Sequence, residues 1–135
     1  MHVTAETPDL TKNQRLVFDA LSRADGPLSA YTILDQLRDD GFRAPLQVYR
    51  ALDKLLAFGL VHRLESLNAF VACAHPHCHR HAMIGFAICE TCGQVDEFSD
   101  EVIEDRLASF AQARGFVPAK TTVELRGQCA RCRPN

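Results

Sequence analysis

Two Cys-x-x-Cys turns, Cys89-Glu90-Thr91-Cys92 and Cys129-Ala130-Arg131-Cys132, constrain this 135-residue chain more than any other feature. Each spacing suits a tight knuckle, and four thiolates meet the tetrahedral demand of a closed structural zinc site. The other use of such pairs, as two redox dithiols, calls for a thioredoxin-like βαβ unit, and none precedes either pair. The 36 residues from 93 to 128 exceed a compact zinc ribbon, so something folded must sit between the knuckles. Ser99 is placed to cap a helix with Asp100 and Glu101 in its first turn, where the helix dipole favours negative charge. Ile103, Leu107, Phe110 and Ala111 form the stripe such a helix is expected to bury, and Gly115 ends it. Strands are expected over residues 84–88, 94–98 and 121–126, with Val123 and Leu125 alternating in the last. The second knuckle then anchors the end of the chain onto the first hairpin.

Six cysteines would also permit three disulfides. The start, Met1-His2-Val3-Thr4-Ala5-Glu6, lacks the basic residues and apolar stretch of a secretory signal. No apolar run approaches the roughly 20 residues that span a bilayer. A cytoplasmic location without membrane attachment is the expectation, and reducing cytosol favours metal over disulfides.

The first half has helical periodicity. Thr11-Lys12-Asn13-Gln14 has the form of a capping box, followed by Val17, Ala20, Leu21 and Ala24 at helical spacing before Gly26-Pro27. A second helix is expected from Ser29 as N-cap, burying Ile33, Leu34 and Leu37 and stopping at Gly41. A third runs from Pro45, suited to the first helical position, to Gly59. Two short segments of β character follow, 60–64 and 69–73, joined by Glu65-Ser66-Leu67-Asn68. Three helices and a small hairpin is the order of a winged helix-turn-helix, although a plain helical bundle with a hairpin has the same pattern.

Bulk charge does not point to nucleic acid: the net charge is -2. Locally, however, Arg43, Arg50, Lys54 and Arg63 meet only Asp53 across residues 43–63. In the third helix Val48, Leu52, Leu55 and Leu56 must face a core, so Gln47, Arg50 and Lys54 fall on the opposite side, with Tyr49 on the flank. Arg pairs with guanine, Gln with adenine and Lys with the phosphate backbone, which suits DNA reading; four exposed positives also fit a merely solvated face. Between the halves, His62, Cys73, His75, His77, Cys78, His79 and His81 place seven His or Cys residues within twenty positions. Imidazole with thiolate suits zinc better than iron. They cannot all serve one ion, and some are linker residues.

These motifs, in this order, resemble the ferric uptake regulator family and, within it, its zinc uptake regulator branch. The resemblance rests on Val48-Tyr49-Arg50-Ala51-Leu52, Gly59-Leu60-Val61-His62, the His-rich linker, Cys89-Glu90-Thr91-Cys92-Gly93-Gln94-Val95 and the closing Cys-x-x-Cys, and covers about residues 10–133. It implies an α+β protein: a winged-helix reader over 1–73, a His-rich hinge over 74–82, and a small α/β dimerisation domain over 83–135 stapled by Cys89, Cys92, Cys129 and Cys132. It implies a homodimer that binds palindromic operator DNA when loaded with Zn2+, repressing metal import, with two zinc sites per chain. The regulatory set it implies is His62, Cys73, His81 and Glu97, with His79 as the alternative to His81. Cys73 is the telling member, since iron- and peroxide-sensing relatives lack a thiolate there. Tyr31 resembles a position near the DNA. Leu46 and Gln47 replace the small residue and Thr usual before Val-Tyr-Arg, which bears on operator preference. An iron- or manganese-responsive regulator is the alternative inside the family.

Outside it, the rival is a zinc hydrolase or nucleobase deaminase. No His here has Glu two positions later, no Pro precedes Cys89, and two full ligand sets leave no open coordination position. Neither an enzyme nor a small-molecule substrate is expected.

Overall fold

In the computed structural model, which describes residues 9–73 and 83–134, the chain begins with α1 (Lys12–Arg23). Thr11 accepts from the Gln14 backbone N–H at 3.2 Å while the Gln14 amide oxygen accepts from the Thr11 N–H at 3.1 Å, so the expected capping box forms. Helix α2 (Ala30–Gln36) starts at Ser29, whose hydroxyl accepts from the Thr32 N–H at 3.1 Å. A 3-10 turn, Arg38–Asp40, follows it. Helix α3 (Pro45–Ala57) ends where Gly59 takes φ +77°, a left-handed conformation that a side chain would strain. The chain then enters an antiparallel hairpin, β1 (Val61–Leu64) with β2 (Ala69–Ala72), in register Val61↔Ala72 to Leu64↔Ala69. Leu28 joins the hairpin as a third, one-residue strand: its N–H donates to the Phe70 carbonyl at 3.0 Å and its carbonyl accepts from the Phe70 N–H at 2.8 Å. The hairpin is thereby tied to the helices it follows. One core contains Val17, Ile33, Phe42, Val48, Leu52 and Leu55 together with Val61 and Phe70 from the hairpin.

The chain divides into two compact units after Cys73. In the second, β3 (Met83–Cys89) is central, with β4 (Val95–Phe98) antiparallel on one side and β5 (Thr121–Gly127) parallel on the other. Gly85 lies opposite Phe98, and any side chain at 85 would collide with that ring, so the glycine lets the aromatic lie across the sheet. Helix α4 (Glu101–Ala113) connects the two outer strands. Two expectations are corrected here. The cap is Asp100, one residue beyond Ser99, because its carboxylate accepts from both the Val102 and Ile103 N–H groups at 2.9 and 3.1 Å. Of the expected buried stripe only Ala111 is buried, while Ile103, Leu107 and Phe110 remain exposed among the described residues. Among the described residues, no helix is long and apolar enough to cross a membrane.

Candidate metal centre and nucleic-acid interface

The parallel pairing of β3 with β5 brings the four cysteines together. Its last pair is Cys89↔Gly127, so the loops that follow both strands leave the sheet at the same end. One loop carries Cys92 and the other Cys129 and Cys132, and all four sulfurs lie within 4.8 Å of one another. Cys92 Sγ is 3.8 Å from Cys129 Sγ. A tetrahedral ion with bonds of about 2.3 Å to sulfur requires sulfur–sulfur edges of about 3.8 Å, so the donor set fits zinc in both chemistry and size. Backbone N–H groups point at these sulfurs. The Cys92 N–H donates to Cys89 Sγ at 3.4 Å and, with the Cys129 N–H, lowers the Cys89 thiol to about 6, against the opposing effect of burial. The Cys132 N–H likewise lowers Cys129. The Cys132 thiol, facing the Cys129 sulfur, is pushed up to about 12, as expected of four thiols that cannot all ionise without a cation.

The second expected ligand set is distributed as follows. His62 on β1 and Cys73 just after β2 lie on the face of the hairpin opposite Val61 and Phe70, by strand alternation. Their ligand atoms are within 4.8 Å of each other, and His62 is buried. The Cys73 N–H donates to the Leu60 carbonyl at 2.8 Å, fixing that residue to the hairpin. Glu97 is half-buried on β4, opposite Phe86. His79 and His81 lie outside the described residues, as do His75, His77 and Cys78.

Helix α3 presents the DNA-reading candidates. Val48, Ala51, Leu52 and Leu55 are buried, which turns Arg50 and Lys54 to the exposed side and leaves Tyr49 half-buried against the core. Gln47 behaves differently from a free reader. Its amide oxygen accepts from the Arg43 and Ala44 N–H groups at 2.6 and 3.1 Å, capping the helix, whereas a bidentate adenine contact needs both amide atoms. Arg63 is held within the hairpin, donating to Asn68 Oδ1 at 3.0 Å with Glu65 at 3.9 Å. Tyr31 is 63% exposed in the first turn of α2. One residue not anticipated joins them: Asn13, from the first turn of α1, lines the same cleft as Gln47, Arg50 and Lys54. An exposed amide in a first helical turn carries no pattern that would single it out.

Residues 9–126 match the ferric uptake regulator family. The chain is 40% identical over 124 residues to the zinc uptake regulation protein of Escherichia coli (strain K12), spanning 91% of this chain and 72% of that protein. It is 32% identical over 108 residues to the ferric uptake regulation protein of Legionella pneumophila, spanning 78% and 76%. Among solved structures it is similar to a zinc uptake regulator complexed with zinc and DNA, with a TM-score of 0.83 and 38% identity over 92% of this chain and 83% of that one. It is also similar to holo XcZur, with a TM-score of 0.82 and 43% identity over 91% and 85%.

Proposed function

The chain belongs to the ferric uptake regulator family, and from that premise we propose that it is a zinc-responsive, DNA-binding transcriptional repressor of zinc uptake genes. The observation that carries this reading is its similarity, in sequence and along nearly its whole length, to a regulator solved with both zinc and DNA. It is a regulator and not an enzyme. It acts in the cytoplasm on palindromic operator DNA, as a homodimer. The uncovered apolar stripe of α4 supports the dimer, since a face of Ile103, Leu107 and Phe110 is stable only when something closes over it.

Two metal sites per chain have separate duties. Cys89, Cys92, Cys129 and Cys132 hold the second unit together. The responsive site draws His62 and Cys73 from the DNA-reading unit, Glu97 from the second unit, and His81, or His79 in its place, from the hinge. Zinc held by these residues would supply a link between the reader and the second unit. With all four engaged, the reader is held at one angle, and a two-fold dimer presents its two α3 helices at the single separation a palindrome matches. With them disengaged, that separation spreads over many values. Operator DNA must in turn tighten metal binding by the same factor, about 5–150 for typical couplings of 1–3 kcal/mol.

On α3, Arg50 reads a base edge and Lys54 a phosphate; Tyr49, Gln47 and Tyr31 complete the proposed contact surface. The competing reading, iron or manganese sensing, is disfavoured by the thiolate of Cys73, a soft ligand better matched to zinc. Operator binding followed during titration with zinc, ferrous iron and manganese, under reducing and anaerobic conditions, tests the reading. Zinc should act at the lowest free concentration, and a lower threshold for iron or manganese overturns the assignment.

A further inference from the structure

The two loops that carry the four cysteines are also joined by side chains that are not ligands. Arg131 donates from its guanidinium to the Gln94 amide oxygen at 3.1 Å, and Gln128 donates to the Thr91 hydroxyl at 3.2 Å. Each bond spans 37 residues of chain, as the cysteine contact does. Gln94 extends the connection: its Nε2 lies 3.3 Å from both carboxylate oxygens of Asp96 on β4. Polarised hydrogen bonds in such a chain reinforce one another. Arg131 lies inside the second knuckle, between Cys129 and Cys132, while its guanidinium holds the first loop through Gln94.

This matters because the second knuckle follows the last strand and belongs to no helix or strand. A four-ligand metal is lost stepwise, and each detached thiolate either returns or moves away. Return is faster when its loop is kept in place, since the thiolate then stays at a high effective concentration.

We infer that Arg131, acting through Gln94, is a positioning residue of the four-cysteine centre: it keeps the terminal knuckle against the first and thereby slows metal loss, without binding metal itself. The inference rests on reading the four cysteines as a zinc site. The charge of Arg131 adds to the effect, since four thiolates around one divalent ion leave a net charge of about -2 that a neighbouring cation offsets.

The test uses the full chain, reduced and zinc-loaded, transferred into excess chromophoric chelator so that the slow release phase is timed. Arg131→Ala and Gln94→Ala should each accelerate that phase by about three- to tenfold, as the loss of an exposed outer-sphere hydrogen bond does. The double variant should release no faster than the faster single one, because both remove the same contact. Arg131→Lys, which keeps a donor and the charge, should restore most of the slow release. Cobalt-loaded Arg131→Ala should keep the charge-transfer and ligand-field bands of a tetrathiolate, which a purely structural collapse would alter. Equal release from Arg131→Ala and the unaltered chain, additive effects of the two substitutions, or altered cobalt bands in Arg131→Ala each overturn the inference. Failure of the unaltered chain to give a tetrathiolate cobalt spectrum overturns the zinc-site reading instead.

Discussion

In the first unit, Val17, Ile33, Val48, Leu52 and Leu55 are each at most 1% exposed, whereas α4 in the second unit buries Ala111 and leaves Val102 and Phe110 70% and 59% exposed. The first unit meets its apolar stripes with its own elements: three helices on one another, and a hairpin pinned to them through Leu28 and Phe70. The second has a three-stranded sheet and a helix in about fifty residues, a size at which packing alone rarely suffices. In the proposed reading a metal at the end of β3 and β5 and a partner over α4 make up the difference. On that reading one unit is stable through packing, and the other through what it binds.

Removing metal ligands should break this contrast most sharply. Structural zinc contributes about 10–16 kcal/mol in small zinc peptides, and that binding energy is folding energy. Cys132→Ser should therefore remove one zinc per chain, abolish the dimer and melt the second unit early, while the circular dichroism of the helical first unit persists. Leu55→Ala is the counterpart: a cost of about 2–5 kcal/mol in the first unit, with zinc content unchanged. A Cys132→Ser protein that remains a zinc-responsive dimer would sink the contrast.

Next in size is the effect of charging the bare face of α4. Phe110→Glu and Leu107→Glu place a carboxylate where the partner should sit, twice per two-fold dimer. At about 1.5–3 kcal/mol for each buried side chain lost, dimerisation should weaken by about two orders of magnitude or more. Sedimentation should report monomers that keep their zinc and helical content. Unchanged dimers at the same concentration would place the interface elsewhere.

The same contrast decides what could be read from sequence. Thr11-Lys12-Asn13-Gln14, Pro45 and Gly59 marked helix ends correctly because capping is chemistry among residues a few positions apart. The four cysteines were legible as a cluster because a metal ties their spacing to one geometry, although their meeting depends on a parallel β3–β5 pairing that no local pattern encodes. The α4 stripe was visible as a stripe, but whether it is covered within one chain is not a property of periodicity. Ser99 and Asp100 are both good caps, and only the turn geometry selects the second. Gln47 was ambiguous for a related reason: the amide that can read adenine can equally cap its own helix.

A smaller effect should follow from the second ligand set, which in the proposed reading joins units rather than holding one together. Under reducing conditions Cys73→Ser, Glu97→Ala and His81→Ala should give soluble dimers that retain one zinc per chain and lose the roughly 5–150-fold gain in operator affinity with added zinc. His79→Ala, measured in parallel, identifies the hinge ligand, because only one of the two histidines should abolish the response. If Cys73→Ser unfolds the protein, the site is structural and the division of duties between the two metal sites fails.

The finest distinction lies within α3, between two exposed cations four residues apart. Arg50 and Lys54 share a cleft, yet the chemistry of their heads suits them to different partners. A guanidinium matches the two acceptors of guanine, while an ammonium is a compact point charge suited to phosphate. Arg50→Ala should cost about 1–3 kcal/mol on operator DNA, relax preference at one position per half-site and leave random DNA nearly unaffected. Lys54→Ala should weaken both DNAs alike and shallow the salt dependence of log K by about one unit of slope per protomer. Measuring both variants on both DNAs across a salt series separates the roles, since a base contact changes the ratio of affinities and a phosphate contact changes the slope. Asn13, across the cleft on α1, provides the control. Asn13→Ala should leave the slope unchanged, because an amide displaces no counterion, so any effect it has must appear as affinity alone.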